Sequence, residues 1–466
     1  MNAAVVAPLP VVPAPAQIDL LDGEGAALTA DLAGVVWETP DGTLPQDTHE
    51  IVVAGGEVRV RSGSAEAAFH ARQTLLQLAG ADAPAVRIVD RPRFAHRGFM
   101  LDLARHFFGP ADIKRVVDHL AVYKLNVLHL HLTDDQGWRL EIEQHPALTE
   151  KGAVSAVGGA AGGFLTQDEY AELVAYAAER FITVVPEIDC PSHVHAALCA
   201  YPELSAEGDG PPDGEKPPVP YTGTEVGHSS FDARNEQVYA LLEDVLTELA
   251  ALTPGQFLHL GGDEAHSTHP DDYALFAARA QALVAGLGKR VLAWQELANA
   301  PLADGTAIQF WDPNSERGPD LLRRAVAAGA KIVMAPGDRT YLDMKPDPDA
   351  RMGLTWAGLV DARDAYDWDP ATLVDGVAEQ DLLGVEACLW TETVETLADV
   401  EEMLFPRLAA VAEVAWTPQA RRGWDDFTVR IAAHRHRWAA EGTAYYPSRQ
   451  LGWAEGAEPA TAASGA

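Results

Sequence analysis

Phe257-Leu258-His259-Leu260-Gly261-Gly262-Asp263-Glu264 is a short apolar run that stops at two glycines and delivers two adjacent carboxylates. Neighbouring side chains of a strand point to opposite faces, so Asp263 and Glu264 can serve one site only where the ladder ends and the backbone turns. The glycines permit that turn and leave room for a ligand close to the main chain. Two crowded carboxylates do not both ionise cheaply. One pKa is therefore expected to rise, keeping an acid near neutral pH.

Seven further runs share that texture. Before it come Gly98–Asp102, Val127–Leu132 and Ile182–Ile188; after it come Val291–Trp294, Ala307–Trp311, Lys331–Ala335 and Val385–Trp390. Helical periodicity fills most of the gaps, as in Ile113–Tyr123, Gln167–Arg180 and Asn235–Leu252. Strand alternating with helix eight times predicts an α/β chain built on a (β/α)8 barrel. The helix after the fifth strand is short or missing. A doubly wound open sheet is the alternative, but no GxGxxG or P-loop follows any strand.

Outside the barrel the texture changes. Residues 1–17 read as a disordered Pro/Ala lead, and 18–93 as a small α/β domain. In that domain Glu50–Val53 and Glu57–Arg61 flank Gly55-Gly56 as a hairpin, and Ser64–Leu78 forms an amphipathic helix. Asp90-Arg91-Pro92-Arg93 marks the boundary. The barrel is placed at 94–445 and a low-complexity tail at 446–466.

Composition limits the partners. The chain has 466 residues, 47% of them hydrophobic, and a net charge of −35, which argues against nucleic acid, anionic membrane and strongly anionic substrates. Cys190, Cys199 and Cys388 give neither a disulfide framework nor a CxxC metal pattern. The first residues lack a basic n-region and no membrane-spanning run is present, so a cytoplasmic protein is expected unless a signal has been cleaved. No oligomeric state can be read.

In a barrel, chemistry gathers at the C-terminal strand ends. The first strand runs into Asp102, Arg105 and His106; the second into Asp134 and Asp135; the third into Glu187, Asp189 and His193; the fourth into Asp263 and Glu264. Trp294, Trp311 and Trp390 close the fifth, sixth and eighth strands, with Glu392 just beyond, and Tyr341, Asp343 and Trp356 follow the seventh. Each Trp alone is more often core packing. Three at strand ends, with an arginine and several carboxylates, describe a sugar site: aromatic faces stack on pyranose C–H faces while Arg and carboxylates bind hydroxyls.

Two other classes compete. His129 and His131 share a strand face and, with His193, His195 and Asp263, suggest a metal-dependent barrel hydrolase. Later strands offer Trp instead of ligands, so hydrogen-bonded packing suits these histidines better and no metal or cofactor is expected. A non-catalytic sugar-binding barrel would keep the Trp cage and lose the acid, whereas Glu264 stands intact. Glu187 or Glu392 also stays open as a conventional nucleophile.

Asp102-Leu103-Ala104-Arg105-His106-Phe107, His129 to Arg139, Val185-Pro186-Glu187-Ile188-Asp189 with His193, and Gly261-Gly262-Asp263-Glu264 together resemble the motif series of the family-20 glycoside hydrolases, the β-N-acetylhexosaminidases. The likeness covers roughly Arg97 to Trp416, and the small domain is similar to the one these enzymes carry ahead of the barrel. It implies exo-action on an oligosaccharide or glycoconjugate ending in N-acetylhexosamine, with the substrate's own acetamido oxygen as nucleophile and an oxazolinium intermediate. On that resemblance Glu264 is acid and base, Asp263 orients the acetamido group, and Tyr341 bonds its oxygen. Trp294, Trp311 and Trp390 wall the N-acetyl pocket. Arg105 forks onto the 3- and 4-hydroxyls, Asp343 and Glu392 hold the 4- and 6-hydroxyl edge, and Trp356 stacks on the leaving sugar. His193, paired with Asp134, sits behind Glu264, and Asp189 supports them. Ser192 stands where the resemblance leads one to expect glycine, which bears on the aim of His193. The chitinase pattern DxxDxDxE is absent.

Overall fold

A computed structural model describes residues 8–40, 42–80, 82–206 and 218–453. Eight parallel strands close into a barrel: His96–Asp102, Val127–His131, Thr183–Glu187, Phe257–His259, Arg290–Trp294, Ala307–Phe310, Lys331–Met334 and Leu382–Leu389. The eighth strand pairs with the first over six positions, Gly384 with His96 through Leu389 with Leu101, which leaves no exposed edge. Each of the eight strands read from the sequence is present, with no end shifted by more than three residues.

Local signals explain the helices between them. Thr166 and Glu169 form a reciprocal capping box at the start of Gln167–Ala178, and the Asn235 side chain accepts the Gln237 N–H at the start of Glu236–Leu252. After the fifth strand there is only the 3-10 turn Gln295–Asn299, as the missing helical period predicts.

The barrel interior is layered. Val127, Val185, Phe257, Leu292, Ala307 and Val333 form an apolar floor. Two residues further along their strands stand His129, Glu187, His259 and Gln309, joined by Glu386 of the eighth strand, all fully buried. Branched aliphatics usually fill such a layer. Here it is polar.

The small domain is a five-stranded sheet backed by the helix Ala65–Leu78, whose N-terminus is capped by Ser64. His49–Ala54 and Glu57–Ser62 form its hairpin at Gly55-Gly56. The lead was expected to be disordered, and residues 8–16 correct that. Val11 and Val12 are fully buried, the Val12 N–H donates to Gln77 Oε1 (2.8 Å), the Ala14 N–H donates to Glu413 Oε2 (2.9 Å), and Arg430 donates to the Val11 carbonyl (2.9 Å). Its valines bury apolar surface and its backbone groups find partners, whatever the simplicity of the composition. Residues 1–7 lie outside the described residues.

The tail is corrected likewise over 446–453. The Ser448 hydroxyl donates to Asp361 Oδ2 (2.9 Å), and Trp453 packs edge-on against Trp438 with ring centroids 6.2 Å apart. Residues 454–466 lie outside the described residues. No described helix is long and apolar enough to cross a membrane.

Candidate active site

The fourth strand ends at His259, and the chain then bends sharply: φ is 63° at Gly261, 95° at Gly262 and 46° at Glu264. A side chain at Gly261 would put its Cβ 1.7 Å from Asp189 Oδ1, so glycine is required there by contact as well as by conformation. Asp189 uses that closeness, accepting the Gly262 N–H at 3.0 Å. The bend brings Asp263 and Glu264 to one cavity of about 530 Å³ at the C-terminal mouth of the barrel.

Of the residues singled out from the sequence, Arg105, Asp263, Glu264, Trp311, Tyr341, Asp343, Trp356, Trp390 and Glu392 line this cavity together. Trp311 and Tyr341 lie nearly parallel at 6.5 Å, while Trp356 meets both edge-on at 5.7 Å and is 52% exposed at the rim. Gly337 lets Trp356 approach, since a Cβ there would stand 3.0 Å from its ring. The Arg105 guanidinium lies 4.8 Å from the Trp390 ring centroid and is fixed by Asp134 Oδ2 (2.7 Å) and Gln136 Oε1 (3.1 Å).

Trp294 is a correction. It was expected on the wall of the N-acetyl pocket but is only 1% exposed and lies outside the cavity lining. Its Nε1–H donates to Glu187 Oε1 (2.8 Å) and its ring packs 5.8 Å from that of Trp390. The strand's inward pleat carries it into the barrel core, where it backs the wall.

Behind the mouth, His193 (φ 58°) places Nδ1 3.2 Å from Asp134 Oδ1 and Nε2 3.5 Å from Glu264 Oε2. Ser192 takes part: its hydroxyl donates to the Asp263 carbonyl at 2.8 Å, tying this loop to the carboxylate pair. His129 and His131 each have both ring nitrogens within 3.0 Å of buried carboxylates, Glu386, Glu187 and Asp134. They are bridges within the core.

The electrostatics split the pair unequally. Burial, with the Glu264 charge adding to it, raises Asp263 to about 6 despite His193 nearby. Burial also pushes Glu264 upward, but the His193 hydrogen bond and charge, with Arg105 and His266, outweigh it and hold Glu264 below its ordinary value. One of the two was expected to rise. It is Asp263, and the proton beside Glu264 rests on His193, which Asp134 holds well above the ordinary imidazole range against burial. Burial and Glu392 raise Asp343 well above the usual carboxylate range, and burial raises Glu392 too.

Sequence reading passed over Glu296 and Asp312. Glu296 accepts the Trp311 Nε1–H with both oxygens at 3.2 Å, and burial beside Asp263 pushes it up to about 8. Asp312 lines the cavity with Asn314, Ser315, Leu354, Thr224 and Val226. Glu296 and Asp312 each lie two residues beyond a strand end, so the rule that found Trp294 and Trp311 could have found them. Thr224 and Val226 sit on a loop with no periodic signal.

Comparison with known proteins agrees with this geometry. The model of the glycosyl hydrolase family 20 catalytic domain matches residues 94–272 and 266–419. A β-N-acetylhexosaminidase of Cellulomonas fimi is 46% identical over 399 residues, covering 85% of this chain and 79% of that protein. A β-hexosaminidase of Porphyromonas gingivalis is 34% identical, and the alignment covers 80% of this chain and 51% of that protein. Among solved structures, the GH20 β-N-acetylhexosaminidase of Streptomyces coelicolor superposes with TM-score 0.88 at 38% identity, covering 96% of this chain and 99% of that one. A mutant Streptomyces plicatus β-hexosaminidase in complex with its product GlcNAc superposes with TM-score 0.89 at 39% identity, covering 96% and 98%.

Proposed function

The chain belongs to glycosyl hydrolase family 20, and from that premise we infer that it is an exo-acting β-N-acetylhexosaminidase releasing terminal β-linked N-acetylhexosamine with retention. Family 20 departs from the two-carboxylate scheme because the substrate's 2-acetamido oxygen serves as nucleophile. The observation that carries the residue roles is the placement of Asp263 and Glu264. Adjacent in sequence, they reach one cavity, with His193 behind Glu264 and Tyr341 close enough to feel the Asp263 charge.

In this reading Glu264 protonates the glycosidic oxygen and later takes a proton from the attacking water. Asp263, once ionised, accepts the acetamido N–H and stabilises the positive charge of the oxazolinium ion. The Tyr341 hydroxyl, kept protonated by burial well above its ordinary value, donates to the acetamido oxygen. Trp311 and Trp390 flank that group. Arg105, held by Asp134, presents guanidinium hydrogens to sugar hydroxyls, and Asp343 and Glu392 take the far hydroxyl edge. Trp356, half exposed at the rim, offers its face to the leaving sugar.

The test is hydrolysis of 4-nitrophenyl N-acetyl-β-glucosaminide against 4-nitrophenyl β-glucoside in the presence of EDTA. Release from the first alone, indifferent to chelator, is expected. Equal rates on both would overturn the acetamido mechanism, and release from neither would overturn the enzyme assignment.

A further inference from the structure

Four imidazoles and four carboxylates alternate, each within 3.5 Å of the next, from the barrel floor to the mouth. His96 Nε2 meets Glu386 Oε2 at 2.7 Å; Glu386 Oε1 meets His129 Nδ1 at 2.8 Å; His129 Nε2 meets Glu187 Oε2 at 3.0 Å. Glu187 Oε2 meets His131 Nδ1 at 2.5 Å, and His131 Nε2 meets Asp134 Oδ2 at 2.8 Å. Asp134 Oδ1 then meets His193 Nδ1 at 3.2 Å, and His193 Nε2 faces Glu264 Oε2 at 3.5 Å. Gly98 makes room for the floor end, where a Cβ would lie 2.1 Å from Glu386 Oε2 and 2.7 Å from His96 Nε2. His96 there lines a separate cavity of about 380 Å³, with exposed Thr183 and Gln256 on its rim.

An imidazole can hydrogen-bond two ionised carboxylates at once only when both nitrogens carry hydrogens, and Glu187 and Asp134 are both held well below their ordinary values, against burial, by the cations around them. Glu187 and Asp134, one on each ring nitrogen, thereby hold His131 as an imidazolium ion. On His129 burial opposes a charge, and the nearby Glu386 and Glu187 outweigh it and raise the imidazole to about 9. We propose that this chain, beyond the Asp134–His193 pair, places the proton on Glu264: Glu187 keeps His131 cationic, His131 neutralises Asp134, and Asp134 then releases the His193 proton toward Glu264. The step breaks His193 Nε2–H and forms Glu264 O–H. His193 is left neutral with its Nδ1–H still on Asp134, so no link in the chain loses its hydrogen. Glu187, His131, His129 and Glu386 touch no sugar and are positioning residues. The inference rests on Glu264 being the general acid.

Other charges face the chain. Arg105, 2.7 Å from Asp134, acts in the same sense as His131. Asp135 at 3.8 Å and Asp263 at 3.9 Å, with Asp189 beyond them, favour the proton on His193. His266 favours ionised Glu264, and His259, 2.9 Å from Glu187, is held below its ordinary value by burial and accepts the Gly261 N–H on Nδ1. Burial opposes a charge on His131, yet Glu187 and Asp134 outweigh it and hold the imidazole well above its ordinary value.

The test has two parts. In ¹⁵N-histidine NMR of the wild-type protein at neutral pH, His131 is expected with both ring nitrogens protonated; a neutral His131 overturns the proposal. In Glu187→Gln, kcat should fall about tenfold more on a GlcNAc disaccharide than on a dinitrophenyl glycoside, which needs little acid assistance. The alkaline limb of kcat should also move to higher pH, because a cation facing the pair is gone. Equal loss on both substrates with the limb in place overturns the proposal. If Glu187→Gln does not fold, His131→Gln is held to the same outcomes, and the NMR measurement needs neither variant. Failure of the proposed function itself would show separately, as wild-type enzyme indifferent to the acetamido group.

Discussion

His193 stands between Asp134 and Glu264, 3.2 Å from one and 3.5 Å from the other, on a left-handed backbone that its neighbours hold in place. A non-glycine residue at φ 58° is strained, and such strain persists only where the surroundings over-determine it. Here Ser192 anchors the loop to the Asp263 carbonyl and the Val194 N–H donates to Ser229 Oγ at 2.9 Å.

Replacing that anchor should be felt at the active site. Ser192→Ala removes one buried hydrogen bond, worth about 1 kcal/mol of stability. A denaturant titration should show that loss. Steady-state kinetics should show kcat falling while KM holds, since the loop aims His193 and does not touch sugar.

Glu264→Gln removes the general acid. Turnover on GlcNAc disaccharides should fall by roughly 10²–10⁴, and on activated aryl glycosides by much less. A plot of log kcat against leaving-group pKa for both proteins measures this directly.

Asp263 is expected to give the acid limb of kcat/KM. Its carboxylate must be ionised to hold the acetamido N–H, and burial raises it from 3.8 to about 6. Activity should therefore decline as pH falls through about 6. Asp263→Asn should lower kcat by roughly 10²–10³ and erase that limb. Stability moves the other way. Between 3.8 and about 6 the folded protein retains a proton that the unfolded chain releases, so stability falls as pH rises across that window. Melting curves should show Asp263→Asn more stable than wild type above it and indistinguishable below.

Arg105→Lys keeps the charge beside Asp134 and gives up the planar fork. KM and the Kd of a GlcNAc-like inhibitor should rise with little change in melting temperature. Arg105→Ala leaves Asp134 with His131 and His193 as its remaining partners and should cost about 1.5–3 kcal/mol of stability, the worth of one hydrogen bond to a charged group. Isothermal titration and thermal melting separate the two effects.

The barrel was legible because its evidence is periodic. Eight apolar runs with helical gaps leave few alternatives, and even the weak fifth connection was visible as a missing helix. The mouth was legible because strand ends announce themselves: Asp263, Glu264, Trp311, Tyr341 and Trp390 do converge on one cavity. Trp294 shows the limit of that rule, since a residue at a strand end can point into the barrel as readily as out of it. Glu296 and Asp312 follow strand ends and were within reach. The lead was misjudged because composition describes a segment and not its seat. Proline and alanine lower its complexity, but the groove it fills is made by Gln77 and the small-domain core together with Glu413 and Arg430, far away in sequence.

That last point has a temporal side. The Val11 carbonyl and the Ala14 amide are bonded to Arg430 and Glu413, which lie 419 and 399 positions downstream. A ribosome delivers Arg430 some 419 residues after Val11. Until then the segment is held by Gln77 and by the apolar core of the small domain alone, and the strap that ties that domain to the far side of the barrel stays unfastened. Only when the helix Trp424–Glu441 emerges can the strap be fastened. The seat of residues 8–16 is thus begun early by the small domain and completed late by the barrel.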